Sequence, residues 1–282
     1  MTERVIALDI GGTFIKSGIF VGGKLADTAK FPTRAQSLQT IQSAVAQAVE
    51  YWKDVQADGI AVSSAGDIDP YRGRCVYATD NLKGYSGFDI KSWLEERYGV
   101  RASALNDGHA ALLGEACRRE LTVPAVMLTL GTGVGGAYFD GKEVVFGEDY
   151  RYGRFGHLVM CPDGKKCNCG QRGCIEQYIS ASALKEKCAA AGTVPEKVFS
   201  NGDARSRAVV DEWIDDLCRA METIYRVQKY ELMIFGGGVC GSAQRWMPLL
   251  KQKTSRRAEI SVLLNTAGME GAYRWWCKNG KI

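Results

Sequence analysis

The chain begins with an almost unbroken apolar run, Val5 to Ile10, then Gly11 and Gly12, then a second apolar run, "FIKSGIF". A short apolar run meeting a glycine pair reads as a buried strand, a tight turn and a strand returning beside it. "KLADTAKF" extends this meander. The period then changes. Leu38, Ile41, Val45, Val49 and Trp52 recur every three or four residues, which predicts a helix capped by Ser37. "DGIAVSSAGDID" reads as an apolar strand running into a glycine loop, and "FDIKSWLEERYG" as a helix ended by Gly99. "ASALND" is a short strand, and "DGHAALLGEACRR" the helix that leaves it.

Near residue 120 the layout starts again. "AVMLTLGTGVGGAYFDGKEVV" repeats strand, glycine turn and strand. Two lobes are therefore expected, 1–118 and 119–265, with a final helix over about 266–282, around "GAYRWWC", packing back on the first. In the second half, Val210, Trp213, Ile214, Leu217, Met221 and Ile224 form a helical stripe whose simplest use is core. "LMIFGGGV" predicts a buried strand ending at Gly236, Gly237 and Gly238.

Composition narrows the classes. The 282 residues allow one large domain or two lobes, and 46% hydrophobic with 24% charged residues is ordinary for a globular chain. A net charge of +4, spread along the chain, argues against a nucleic-acid partner. No apolar run is long enough to span a bilayer, and the N-terminus lacks the pattern of a secretory signal, so a cytoplasmic address is expected. Of ten cysteines, Cys75, Cys117, Cys188, Cys218, Cys240 and Cys277 stand singly and read as small buried hydrophobes. The other four crowd between residues 161 and 174.

The candidate chemistry lies at the turns. Gly11 and Gly12 can take positive φ and aim backbone N–H groups at an anion; Thr13 adds a hydroxyl and Lys16 a charge. Asp9, at the strand end, can hold hydrated magnesium. The alternative is a plain hairpin turn. Gly131, Thr132 and Gly133 offer a second set of donors, and Gly236 to Gly238 a third. Three glycine turns, each directly after an apolar strand, suggest a nucleotide held between two lobes. Asp107 stands where a strand passes into a helix and can accept a proton from an attacking hydroxyl, with Asn106 beside it; the alternative is that Asp107 caps the helix. His157, Cys167, Cys169 and Cys174 form H-x9-C-x-C-x4-C. One nitrogen and three sulfurs suit tetrahedral zinc with a closed shell, hence a structural ion. Cys167 and Cys169 are too close in sequence for an easy disulfide, and Cys161 is left as a spare thiol.

Taken in order, "DIGGTFIK", "SSAGDID", "ATDNLKGYSG", "LNDGHAALLGEA", "TLGTGVGGAYFDGK", "GRFGH", "CNCGQRGCIEQYIS" and "FGGGV" resemble the repressor/open-reading-frame/kinase (ROK) family along nearly the whole chain. These are sugar kinases, glucokinases among them, and related repressors. The resemblance implies an α/β, two-lobed fold, actin-like and hexokinase-type (ribonuclease H-like). It implies ATP, magnesium and structural zinc, a small-molecule sugar and a homodimer. Asp107 matches the catalytic base that deprotonates a sugar hydroxyl, usually O6. Asn81 and Asn106 match sugar contacts, and Gly66 lies in the loop bordering the sugar. His157 matches a residue that binds zinc through one ring nitrogen and faces the sugar with the other. Glu176 matches a second sugar-binding acid. Asp9, Gly12, Thr13 and Lys16 match the first phosphate turn, Gly131, Thr132 and Gly133 the second, and Gly236 to Gly238 the nucleoside side.

Two positions depart from the family. Arg154 stands where E-x-G-H carries a sugar-contacting Glu, and a guanidinium donates where a carboxylate accepts. Arg154 thus shifts the preference toward a sugar with an acidic or carbonyl-bearing substituent, pairs with Glu176 in the empty site, or marks weak activity. His109 replaces a frequent Asn. With no DNA-binding module ahead of the first strand, the expected function is an ATP-dependent hexose kinase. The alternative is a non-catalytic sugar sensor retaining the fold. An ATPase or phosphotransferase on a non-sugar substrate is a third reading.

Overall fold

The computed structural model describes residues 2–279. The chain forms two compact units. The first contains the described residues up to Leu121, the segment Phe146–Tyr152 and the described residues from Thr266 on; the second contains Thr122–Val145 and Gly153–Asn265.

In the first unit, β1 (Arg4–Ile10), β2 (Phe14–Val21) and β3 (Lys24–Pro32) form an antiparallel meander. Helix α1 (Leu38–Glu50) follows, its N-terminus closed by a reciprocal Ser37–Thr40 capping box. Strand β4 (Gly59–Ser64), the hairpin β5 (Asp67–Asp69) and β6 (Arg74–Tyr77), α2 (Ile90–Tyr98), β7 (Arg101–Asn106) and α3 (Asp107–Arg119) complete the run. The sheet order is β3-β2-β1-β4-β7, with β1, β4 and β7 parallel. Successive side chains of β1 leave on opposite faces, and both faces are covered, which is why the strand reads as a continuous apolar run. Ile6, Leu8 and Ile10 pack with Ile41 and Val45 of α1 and Leu94 of α2. Val5 and Ala7 pack on the other side with Met269, Tyr273 and Trp276.

The second unit repeats the opening. Strands β8 (Ala125–Leu130) and β9 (Val134–Phe139) pair antiparallel. Helices α4 (Glu176–Ile179), α5 (Ala181–Ala190), α6 (Pro195–Val198) and α7 (Ala204–Val227) precede β10 (Leu232–Gly236), α8 (Ala243–Lys253) and β11 (Ala258–Ile260). The order β11-β10-β8-β9 reproduces four strands of the first sheet, without a counterpart of β3. The expected α7 stripe is core: Trp213, Ile214, Leu217, Met221 and Ile224 pack against β8 and β10 residues and Trp246.

The last helix, α9 (Ala267–Asn279), belongs to the first unit and starts four residues ahead of "GAYRWWC". Its Gly271 lies so close to α3 that an added Cβ would stand 1.7 Å from the Ala110 carbonyl oxygen. Residues 280–282, the end of the expected helix, lie outside the described residues. Among the described residues no helix is long and apolar enough to cross a membrane.

Two expectations need correction. Only Cys75, Cys188 and Cys240 of the six single cysteines are buried; Cys218 and Cys277 are half-buried and Cys117 is exposed. Helix position alone does not tell which side of a turn a lone cysteine occupies. The β5–β6 hairpin was also not anticipated, because its strands are too short to show a period.

Candidate active site

In the first unit the site is built at the ends of β1, β4 and β7. Asp9 and Lys16 are cross-strand partners, and Lys16 Nζ lies 2.9 Å from Asp9 Oδ2. Ser63 Oγ donates to Asp9 Oδ1 at 2.8 Å. The turn itself is held from inside: Gly11 N donates to Phe14 O at 3.0 Å, and Thr33 Oγ1 donates to Gly11 O at 2.6 Å. Neither Gly11 nor Gly12 has positive φ, so that part of the expectation is corrected. Gly11 uses its N–H within the turn; Gly12 and Thr13 are exposed. The loop carrying Asn81, which is exposed, runs beside Gly12: a Cβ there would lie 3.4 Å from Asn81 O.

Asn106 is the N-cap of α3, accepting from His109 N at 3.1 Å, so the cap is Asn106 and not Asp107. Asn106 Nδ2 donates to Gly66 O at 2.8 Å and to Asp107 Oδ1 at 2.9 Å. Gly66, at φ +101°, links β4 to β5. Gly108 N also donates to Asp107 Oδ1, at 2.8 Å. Oδ2 of Asp107 takes no hydrogen bond among the described residues. Burial, aided by the negative charge of Asp9, pushes the Asp107 carboxyl from the ordinary 3.8 up to about 6, against the pull of the donors on Oδ1. The result is a fixed carboxyl, ionised at neutral pH, basic for its type and with one oxygen free to take a proton.

In the second unit two glycine turns and the cysteine loop lie together. Gly131 N donates to Gly133 O at 3.0 Å, so it closes the β8–β9 turn. Val134 N donates to Glu176 Oε2 at 3.3 Å. A Cβ on Gly133 would stand 2.7 Å from that oxygen, so Gly133 is required by close approach and not by φ. Thr132 is exposed between them. Gly236 ends β10. Gly237 has φ +88° and lies against Leu130, where a Cβ would meet the backbone at 2.6 Å. Gly238 opens a short 3₁₀ turn, with nothing near its would-be Cβ.

His157 closes a 3₁₀ turn whose N-cap is the exposed Arg154, and His157 N donates to Arg154 O at 3.0 Å. The potential ligand atoms of His157, Cys167, Cys169 and Cys174 all lie within 4.8 Å of one another. Cys169 Sγ is 3.6 Å from Cys174 Sγ, and Cys167 Sγ is 3.7 Å from His157 Nδ1. Tetrahedral zinc with arms of about 2.0–2.3 Å has edges of about 3.3–3.8 Å, so these two edges match that ion. Cys161 stands outside the group. Glu176, buried at the start of α4, joins loop to turn: Cys167 Sγ is 3.1 Å from its Oε1.

The sequence reading did not single out Ser63 or Thr33, which anchor Asp9 and Gly11. A lone Ser or Thr gives no pattern signal. His109, named there only as a departure from the family and given no role, has its side chain buried two residues after Asp107.

Two units that each open with an antiparallel hairpin and continue into parallel strands define the actin-like α/β fold. The ROK family model matches residues 5–278. N-acetyl-D-glucosamine kinase of Escherichia coli O7:K1 is 31% identical over 255 residues, covering 82% of each chain. Beta-glucoside kinase of Klebsiella pneumoniae is 28% identical over 251 residues, covering 84% of this chain and 82% of its own. The structure of a ROK family glucokinase from Streptomyces griseus in complex with glucose and AMPPNP superposes with a TM-score of 0.83 at 24% identity, covering 95% and 97% of the two chains. The chain belongs to the ROK family, and it is an enzyme of the kinase class.

Proposed function

We propose that this protein transfers the γ-phosphoryl group of ATP to a hydroxyl of a hexose or hexose derivative, O6 in the first instance, with Asp107 as general base. The observation carrying this reading is the Asp107 carboxyl: Oδ1 tied by two donors, Oδ2 open, and proton affinity raised toward neutrality. Its family membership and kinase relatives supply the reaction class.

The roles follow from the donors and acceptors. Asp107 takes the proton of the sugar hydroxyl as that oxygen attacks the γ-phosphorus; the P–O bond to ADP breaks, and ADP leaves. Asn106 spends both amide protons on Gly66 O and Asp107 Oδ1, so its role is to hold the base and the sugar loop in register. Its free oxygen lone pair and Asn81 serve the sugar hydroxyls. Glu176 and the His157 nitrogen not turned to the cysteines are the sugar acceptors on the second unit. Thr13, Gly12 and Lys16, Gly131 to Gly133, and Gly236 to Gly238 serve the nucleotide. Asp9, with one hydrogen bond on each oxygen, retains lone pairs for the water shell of magnesium, which neutralises phosphate charge when bound with ATP. His157, Cys167, Cys169 and Cys174 would hold zinc as a structural ion, and that would fix His157 and Glu176 in place. The protein works in the cytoplasm as a homodimer.

The second reading, a non-catalytic sugar sensor, rests on Arg154, which can only donate. A coupled ADP-release assay with hexoses, amino sugars, sugar acids and disaccharides separates the two. Turnover on one sugar supports the kinase and shows what Arg154 selects. Sugar binding without ADP release on any member supports the sensor.

A further inference from the structure

His109 is buried in the first unit, three per cent exposed. Its Nε2 lies 2.8 Å from the carbonyl oxygen of Tyr152. A carbonyl only accepts, so Nε2 carries the proton. Nδ1 is buried with no hydrogen-bond partner among the described residues. The ring is thus neutral with its proton on Nε2, and burial lowers its proton affinity in the same sense. Phe146 meets the ring edge-on at 5.1 Å. Both ends of Phe146–Tyr152, a short strap of the first unit, are therefore held by one histidine.

The strap is fastened again at Arg151, whose Nε lies 2.9 Å from Asp67 Oδ2, a carboxylate six per cent exposed. Asp67 follows Gly66, and Gly66 O accepts from Asn106 Nδ2. Asn106 Oδ1 in turn accepts from the backbone N–H of His109. The contacts close a ring: His109 side chain to Tyr152, Arg151 to Asp67, Gly66 to Asn106, and Asn106 back to His109. The same Asn106 amide also grips Asp107 Oδ1.

We propose that His109 is a positioning residue: its Nε2–H closes a ring through the strap Arg151–Tyr152 and the Gly66–Asp67 loop that fixes the angle of Asn106 and hence of the Asp107 carboxylate. This rests on the reading of Asp107 as base. Its effect falls on transfer and not on nucleotide affinity, because the ring contains no residue of the glycine turns.

The test compares His109→Leu, His109→Gln and Arg151→Met. Gln places an amide N–H at nearly the reach of Nε2; Leu removes the donor. Expected for His109→Leu is a kcat loss of about ten-fold or more, the scale of a misplaced catalytic group. KM for ATP stays within about two-fold, and His109→Gln restores most of kcat. In His109→Leu with Arg151→Met together, the losses are less than multiplicative, as for two breaks in one ring. Hydrogen exchange is followed on the same variants, with or without turnover. His109→Leu speeds exchange in peptides covering 146–153 and 105–109, and His109→Gln does not. Normal kcat in His109→Leu, equal loss in His109→Gln, or unchanged exchange at 105–109 overturns the proposal. If the wild type turns over no sugar, the reading of Asp107 fails, and exchange alone decides whether the ring exists.

Discussion

Asn106 and Asp107 are bonded side chain to side chain, Nδ2 to Oδ1 at 2.9 Å, and the bond makes the carboxylate asymmetric. With Gly108 N on the same oxygen, Oδ1 is a fixed acceptor and Oδ2 is the oxygen left for a proton. A base built this way has one direction of action.

Replacing Asp107 with Asn keeps an acceptor at Oδ1 and removes the base. Turnover falls by about 10²–10⁴-fold, and ATP affinity is unchanged by equilibrium binding. The variant is also more stable at neutral pH. The carboxyl holds its proton up to about pH 6 when folded, against 3.8 ordinarily. Between those values the folded state binds more protons, so folding stability falls as pH rises through the window, and the deficit persists above it. Asn removes the deficit, a gain of about 1–3 kcal/mol at pH 7.5 that vanishes near pH 3.5. Thermal unfolding at both pH values checks it.

The same shift sets a rate profile. With Asp107 needed ionised, kcat/KM for the sugar is level above about pH 7. It falls below about pH 6, approaching ten-fold per unit. A limb near pH 4 places the titrating group elsewhere.

Cysteine substitutions sort the loop. Cys167→Ser or Cys174→Ser lowers bound zinc well below one ion per chain and lowers the melting temperature by several degrees. Cys161→Ser does neither, because Cys161 stands outside the donor group. Metal analysis and thermal unfolding on one sample read both.

Gly133→Ala places a Cβ 2.7 Å from Glu176 Oε2 and must displace that carboxylate. The sugar KM rises about ten-fold or more while the fold survives. Gly202→Ala, with nothing within 4 Å, is the matched control and leaves KM unchanged.

The sequence was informative where a period or a spacing existed. The two opening hairpins, β1–β2 and β8–β9, the α7 stripe and the His157–Cys174 donor set follow from strand runs, a 3.6-residue repeat and metal-ligand spacing. It failed where the reason is a three-dimensional approach. Gly133 and Gly271 look like punctuation, yet each is fixed by one neighbouring atom, Glu176 Oε2 and Ala110 O. Asn106, read as a substrate contact, has both amide protons committed to the protein. The ring through His109 joins residues 43 and 84 positions apart at two of its contacts, and no local pattern encodes such a closure.

The most direct measurement is product analysis. The wild type and Asp107→Asn are incubated with magnesium-ATP and the best sugar of the panel, and the phosphorylated product is identified by phosphorus NMR. The account predicts a sugar 6-phosphate formed stoichiometrically with ADP by the wild type, and almost none by Asp107→Asn despite normal ATP binding. Equal amounts of product from both proteins, or ADP with inorganic phosphate and no sugar ester, would contradict it.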